Sequence, residues 1–169
     1  MDSAQSLTAA IEFSVGLAGF SGLIFVIRGG GKDLGLWNSY RTLSLVLYAF
    51  AAAFGSFLAL IFASYLQEPF NWRVSSALLS LILSGLLAFN LNWVSKSRKR
   101  NIPLPQSPGY RLLVTSYFLT MPVAILMELA NSPGFFPGNE FPIFYSGVVF
   151  ILFWGAQQFI QMLIRANEA

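Results

Sequence analysis

The sequence predicts an all-α fold, a polytopic transmembrane helical bundle of about five helices. Three observations predict it. Five apolar stretches follow one another over residues 7–27, 42–66, 74–94, 110–130 and 143–164, each near the ~20 residues with which a helix crosses ~30 Å of hydrocarbon. The composition, 56% apolar, 16% aromatic and 10% charged, is too poor in charge to cover a water-soluble domain. Nine of the ten Lys and Arg residues fall on one side of a path that crosses a bilayer at every stretch. Lipid offers the backbone no hydrogen-bond partners, so a span is a helix or part of a closed barrel. Runs of this length without period-2 alternation exclude the barrel. With no long linker and no internal repeat, residues 1–169 are expected to form one transmembrane domain.

The first stretch, 7–27, carries the most distinctive pattern. Glu12, Gly16 and Gly19 recur at i, i+4 and i+7 and share a face. Gly22 continues the small residues, and Ser14, Ala18 and Gly22 form a second row spaced by four. Such rows let helix backbones approach closely, so a packing partner is expected on the Gly16, Gly19 and Gly22 face. Glu12 lies about five residues inside the boundary of the stretch, roughly 8 Å at 1.5 Å per residue. Without a Lys, Arg or His at membrane depth to pair with it, it must be protonated, hydrogen-bonded to a hydroxyl or amide, or reached by water. An intramembrane acid is a functional-site candidate; the alternative is a Glu that snorkels to the surface or caps a neighbouring helix.

The second stretch, 42–66, has a narrow seam of Ala52, Ser56, Ala59 and Ala63, with Trp37 and Tyr40 at headgroup level before it. The preceding Gly29-Gly30-Gly31-Lys32 fails as a phosphate-binding loop, because position 26 is Val and position 33 is Asp. In the third, 74–94, Ser76, Ser80, Ser84 and Ala88 form a row spaced by four that leads to Asn92, with Asn90 beside it. Lys96, Arg98, Lys99 and Arg100 follow. That run attracts anionic lipid headgroups at about 1 kcal/mol per residue and is equally a positive-inside signal.

In the fourth stretch, 110–130, Pro122 frees the carbonyl of Phe118 and is expected to kink the helix. Glu128 lies barely inside its end and is expected to snorkel. The loop 131–141, with Pro133, Gly134, Pro137 and Gly138 around Phe135 and Phe136, is expected to fold back onto the membrane surface. In the fifth, 143–164, Gln157, Gln158 and Gln161 match Asn90 and Asn92 in depth. Amides that bond between helices contribute on the order of 1 kcal/mol each. Ser80, Ser84, Asn90, Asn92, Gln157, Gln158 and Gln161 are therefore candidates for a polar interior or a pore, or for plain packing.

Orientation follows from the basic residues, which are retained on the cytoplasmic side. The first loop carries Arg28, Lys32 and Arg41, the third carries Lys96, Arg98, Lys99, Arg100 and Arg111, and the tail carries Arg165; the opposite side has Arg73. The N-terminus is expected outside and the C-terminus in the cytoplasm. The same split survives if the first stretch re-enters, so charge fixes helices 2 to 5 and leaves helix 1 open. Met1-Asp2-Ser3 lacks the positive region of a cleavable signal peptide.

Absences bound the chemistry. With no Cys and no His, thiolate nucleophiles, disulfides, His-ligated haem, Cys or His zinc sites and Ser-His-Asp triads are excluded. No metal, cofactor, catalytic residue or nucleic-acid partner is expected. The leading expectation is a membrane protein that acts by assembly, with itself or as the membrane subunit of a larger system. The alternative is a homo-oligomeric channel or small carrier for protons, ions or a small solute, with Glu12 at its outer mouth and the amide cluster at its inner one. A lipid-modifying enzyme stands behind both.

Ile11-Glu12, then Gly16-Leu17-Ala18-Gly19-Phe20-Ser21-Gly22-Leu23, a basic residue soon after, and Trp37, Tyr40 and Arg41 opening the second span form a pattern over the first third of the chain. It resembles a group of small uncharacterised bacterial multi-pass inner-membrane proteins. The resemblance implies a bacterial inner-membrane setting and assigns no catalytic residue.

Overall fold

The computed structural model describes residues 2–27, 36–99 and 108–164, without the side chains of 24–27, 36–39, 98, 108–113 and 161–164. Arg100, and the side chains of Arg98 and Gln161, thus lie outside the described residues. Five helices form: α1 (Ser3–Ile27), α2 (Leu36–Tyr65), α3 (Phe70–Lys99), α4 (Pro108–Asn131) and α5 (Glu140–Ile164). Each contains a segment long and apolar enough to cross a membrane, and no strand occurs among the described residues.

The helices outrun the apolar stretches because the flanking residues offer little to stop them. Residues Trp93 to Lys99 contain neither Gly nor Pro, so α3 continues through them. Lys96 and Lys99, assigned above to the third loop, accordingly sit exposed on a helix end. Arg41, assigned above to the first loop, lies inside α2 and is 2% exposed. Arg73 also lies within a helix, α3. Prolines mark starts: Pro108 opens α4 and Pro142 sits in the first turn of α5, where the missing N–H is harmless. Pro122 lies within α4, which continues through it.

α2 touches α1, α3 and α5, α4 packs on α3 and α5, and α1 lies against α2 and α5. α1 is one uninterrupted helix of 25 residues. Its second half runs beside the second half of α5, with Phe20 and Phe159 ring centroids 6.4 Å apart. The core holds Leu7, Tyr48, Ala52, Leu79, Leu83, Met121, Phe144, Val148 and Ile151. Outside, Phe13, Phe50, Phe57, Leu81, Leu119, Leu126 and Phe153 stand exposed. An exterior as apolar as the core is a surface for lipid, and the chain is an integral, multi-pass membrane protein.

Short turns pin the bundle at one end. The α4–α5 turn has Gly134 at φ 87° and Gly138 at φ 79°, a region L side chains seldom adopt. The Arg73 guanidinium lies over Gly134, where a Cβ would fall 2.6 Å from Nη2. Phe135 is left exposed, while Phe141 at the start of α5 packs on Trp72 with centroids 4.8 Å apart.

Candidate functional site

α1 presents two opposite faces. Leu7, Ala10, Ser14, Leu17 and Ser21 are buried, a stripe at three- and four-residue spacing that meets α2 and α5. The hydroxyls on that stripe are retained by their own helix: Ser14 Oγ donates to the Ala10 carbonyl at 2.6 Å and Ser21 Oγ to that of Ala18 at 2.7 Å. Gln5, Thr8, Glu12, Gly16, Gly19 and Gly22 are exposed on the other side. A Cβ built at Gly16, Gly19 or Gly22 meets nothing within 4 Å. Among the described residues, no helix supplies the neighbour that the small-residue row leads one to expect.

The tight crossings lie on α5 instead. At Gly155 a Cβ would stand 3.0 Å from Leu17 Cδ2 and 3.3 Å from Tyr48 Cβ. At Gly147 it would collide with the Glu128 carboxyl and lie 2.8 Å from Leu79 Cδ2.

A polar centre forms around Asn90, which is 5% exposed. Its Nδ2 lies 3.0 Å from the Tyr48 hydroxyl, 2.9 Å from that of Tyr117 and 2.6 Å from the Leu86 carbonyl. Its Oδ1 accepts from the Tyr40 hydroxyl. One amide thus ties α2, α3 and α4 together. Tyr40 stacks on Trp93 at 4.5 Å, and Trp154 of α5 meets Tyr117 edge-on at 5.0 Å. Tyr40, expected at headgroup level, is 9% exposed, and Trp72 at the start of α3 is 4% exposed; both are packed against neighbouring helices.

Two of the other pore candidates, Ser84 and Asn92, face away from the interior that holds Asn90. Each i+4 step advances about 40° on a helix of 3.6 residues per turn, so the row from Ser76 to Asn92 rotates by roughly 160°. Ser76 and Ser80 are buried, whereas Ser84, Ala88 and Asn92 are exposed. Ser80 Oγ donates to the Ala77 carbonyl and Ser84 Oγ to that of Ser80, both at 2.7 Å. Gln157 and Gln158 are half-buried.

At the opposite end of the bundle from Asn90, an acid stands in the interior. Glu128, expected to snorkel, is 1% exposed. Gly147 leaves the slot its carboxyl occupies, and the Ser76 hydroxyl is within hydrogen-bonding reach. Ser76 Oγ also accepts from Asn131 Nδ2 at 2.7 Å, and the same Nδ2 donates to the Glu140 backbone carbonyl at 2.8 Å. Beside them Arg73 Nη2 pairs with Glu140 Oε1 at 3.0 Å. Glu128 Oε2 and Asn131 Oδ1 are buried without a hydrogen-bond donor. Their i, i+3 spacing on α4 was present in the sequence as a signal; that Ser76 faces them was not.

Among the described residues no group of three or more His, Cys, Asp or Glu is placed to hold a metal ion. The grooves are mainly apolar: one between α2 and α3 is lined by Leu47, Phe50, Phe54, Ile82 and Phe89. Another, between α3 and α4, joins Leu91, Val94 and Phe118 to Ser95 and Lys99. Comparison with protein-family models, with curated proteins and with solved structures gives no match to this chain.

Proposed function

We propose that this integral membrane protein acts by assembly in a bacterial inner membrane, and that the outward face of α1 is where a second copy docks. The observation that carries the reading is the exposure of Glu12 together with Gly16, Gly19 and Gly22 on one face that the chain's own helices leave uncovered. A charged side chain facing lipid at a helix centre costs roughly 3 kcal/mol, and glycines without neighbours forgo the close packing that joins helices in a bilayer. A second α1 related by a two-fold axis along the membrane normal supplies both missing partners. It brings Glu12 to the same depth as its counterpart, where one carboxyl donates to the other, and sets the glycine rows in contact.

Transport through one copy has less support. Ser84 and Asn92 face outward and the Ser80 and Ser84 hydroxyls are spent on their own helix, so a continuous polar path is missing along that row. Anionic lipid headgroups are a further proposed partner at Lys96, Arg98, Lys99 and Arg100, supported by the apolar groove that ends at Lys99.

The chain has no cysteine, which makes the test direct. A single cysteine at Gly19 is expected to crosslink two copies in native membranes, and one at Leu81, exposed on α3, is not. Gly19→Leu should reduce the particle mass in mild detergent to that of one copy, with Leu23→Ala much less damaging. A wild-type protein that is monomeric in both membranes and detergent refutes the proposal.

A further inference from the structure

We propose that Glu128 Oε2 and Asn131 Oδ1 hold an exchangeable small cation between them, a proton or a sodium-sized metal ion, at the end of the bundle closed by the α4–α5 turn. Both atoms are acceptors, both are buried, and neither receives a hydrogen bond. They project from one face of α4 at i, i+3 spacing, where side chains are neighbours, and Ser76 touches both residues. The Ser76 hydroxyl has one proton. Because its oxygen already accepts from Asn131 Nδ2, that proton is available to a single oxygen of Glu128, and the second carboxyl oxygen is left without a donor.

Among the described residues, the basic side chain at this end of the bundle is Arg73. α4 packs, among the described residues, on α3 and α5 alone. From α3 the nearby charge is Arg73, and from α5 it is Glu140; Arg73 Nη2 is paired with Glu140 Oε1 at 3.0 Å, and Arg73 Nε is buried without an acceptor, so it donates to neither Glu128 nor Asn131. Glu68, just before α3, accepts from Trp72 Nε1 at 3.0 Å. A buried acceptor left unpaired costs more than an ordinary hydrogen bond contributes, and two of them side by side repel. One positive charge shared between them removes both penalties. A single carboxylate with neutral amide and hydroxyl oxygens matches a charge of one, and hard oxygen ligands suit a proton or an alkali ion rather than a softer metal.

The slot is built rather than incidental. Of the two glycines on α5, Gly147 is the one at which a Cβ would overlap the carboxyl. The site lies one layer below solvent: Asn131 is tied to the backbone of Glu140, and Arg73, the partner of the Glu140 carboxylate, is 30% exposed.

A cation bound only by the folded state stabilises that state in step with its own activity. Purified protein in detergent is therefore unfolded thermally over a pH series in sodium-free buffer, and over a sodium chloride series at fixed alkaline pH with choline chloride as control. The wild-type midpoint is expected to fall as pH rises, and the fall to be lost in Glu128→Gln, whose amide brings its own hydrogens. Recovery of the midpoint by sodium but not by choline identifies a metal ion that competes with the proton; no recovery identifies the proton alone. If Glu128→Gln does not fold, infrared spectra decide: the wild type should show a protonated-carboxyl band that Asn131→Ala shifts and that alkali or sodium removes. Equal pH and sodium responses in wild type and Glu128→Gln, or a carboxyl band untouched by Asn131→Ala, overturn the proposal.

Discussion

Replacing Gly147 by Ala tests the packing of the interior with a single methyl group. In a helix the change alone is favourable by about 1 kcal/mol, since Gly is the poorer helix former. Here the added Cβ would overlap Glu128 Oε1 and stand 3.1 Å from its Cδ and 2.8 Å from Leu79 Cδ2. Leu79 Cδ2 is the end of a flexible side chain, but Leu79 is fully buried and has little room to turn. Overpacking of this kind costs typically 1–3 kcal/mol, and a buried carboxyl pushed off its partner costs about 1–3 kcal/mol more. Less the helix gain, Gly147→Ala is expected to destabilise the fold by about 3 kcal/mol, read as the shift in a reversible unfolding titration from mild to denaturing detergent. Gly19→Ala is the control, since a Cβ there meets nothing within 4 Å; in detergent-dispersed single copies it should be neutral or stabilising by a few tenths of a kcal/mol up to about 1. A double-mutant cycle closes the argument. In a Glu128→Ala background the obstructing carboxyl is gone, so the cost of Gly147→Ala should shrink by more than about 1 kcal/mol. Strict additivity, or a Gly147→Ala protein as stable as wild type, refutes the steric account.

Two further outcomes are expected. Asn90→Ala removes the partner of three tyrosine hydroxyls and should destabilise by about 2–3 kcal/mol, at about 1 kcal/mol for each interhelical bond; Asn92→Ala, two residues on and exposed, should change stability by less than about 0.5 kcal/mol. Similar losses for the two would remove Asn90 from the centre of the bundle. The charge split predicts the topology: a cysteine introduced at Asn139 should react with an impermeant thiol reagent in intact cells and one at Ser107 should not, and the opposite labelling would reverse the orientation.

The sequence by itself determined the helices. About twenty consecutive apolar residues have one stable form in lipid, where the backbone must bond to itself, and residues 7–27, 74–94, 110–130 and 143–164 all fall inside observed helices, with 42–66 exceeding α2 by one residue. The α2 seam was legible in part, as Ala52, Ser56 and Ala59 are buried while Ala63, the fourth residue of the row, is exposed. Which way each helix faces was decided by the tertiary structure. In a soluble protein polarity separates inside from outside, but a lipid-facing Leu81 and a core Leu83 are chemically the same, so hydropathy gives depth without azimuth. Hence the serine row on α3 misled toward Asn92, whereas Asn90, about 40° from Ser76 on a 3.6-residue helix, is the residue that turns inward. Hence also the exchange of roles between the two acids: Glu12, at membrane depth, faces out because Leu7, Ala10, Ser14 and Leu17 give α1 its contact face, while Glu128, near a helix end, faces in because Gly147 of α5 leaves it room. Depth is a property of the chain, and facing is a property of its neighbours.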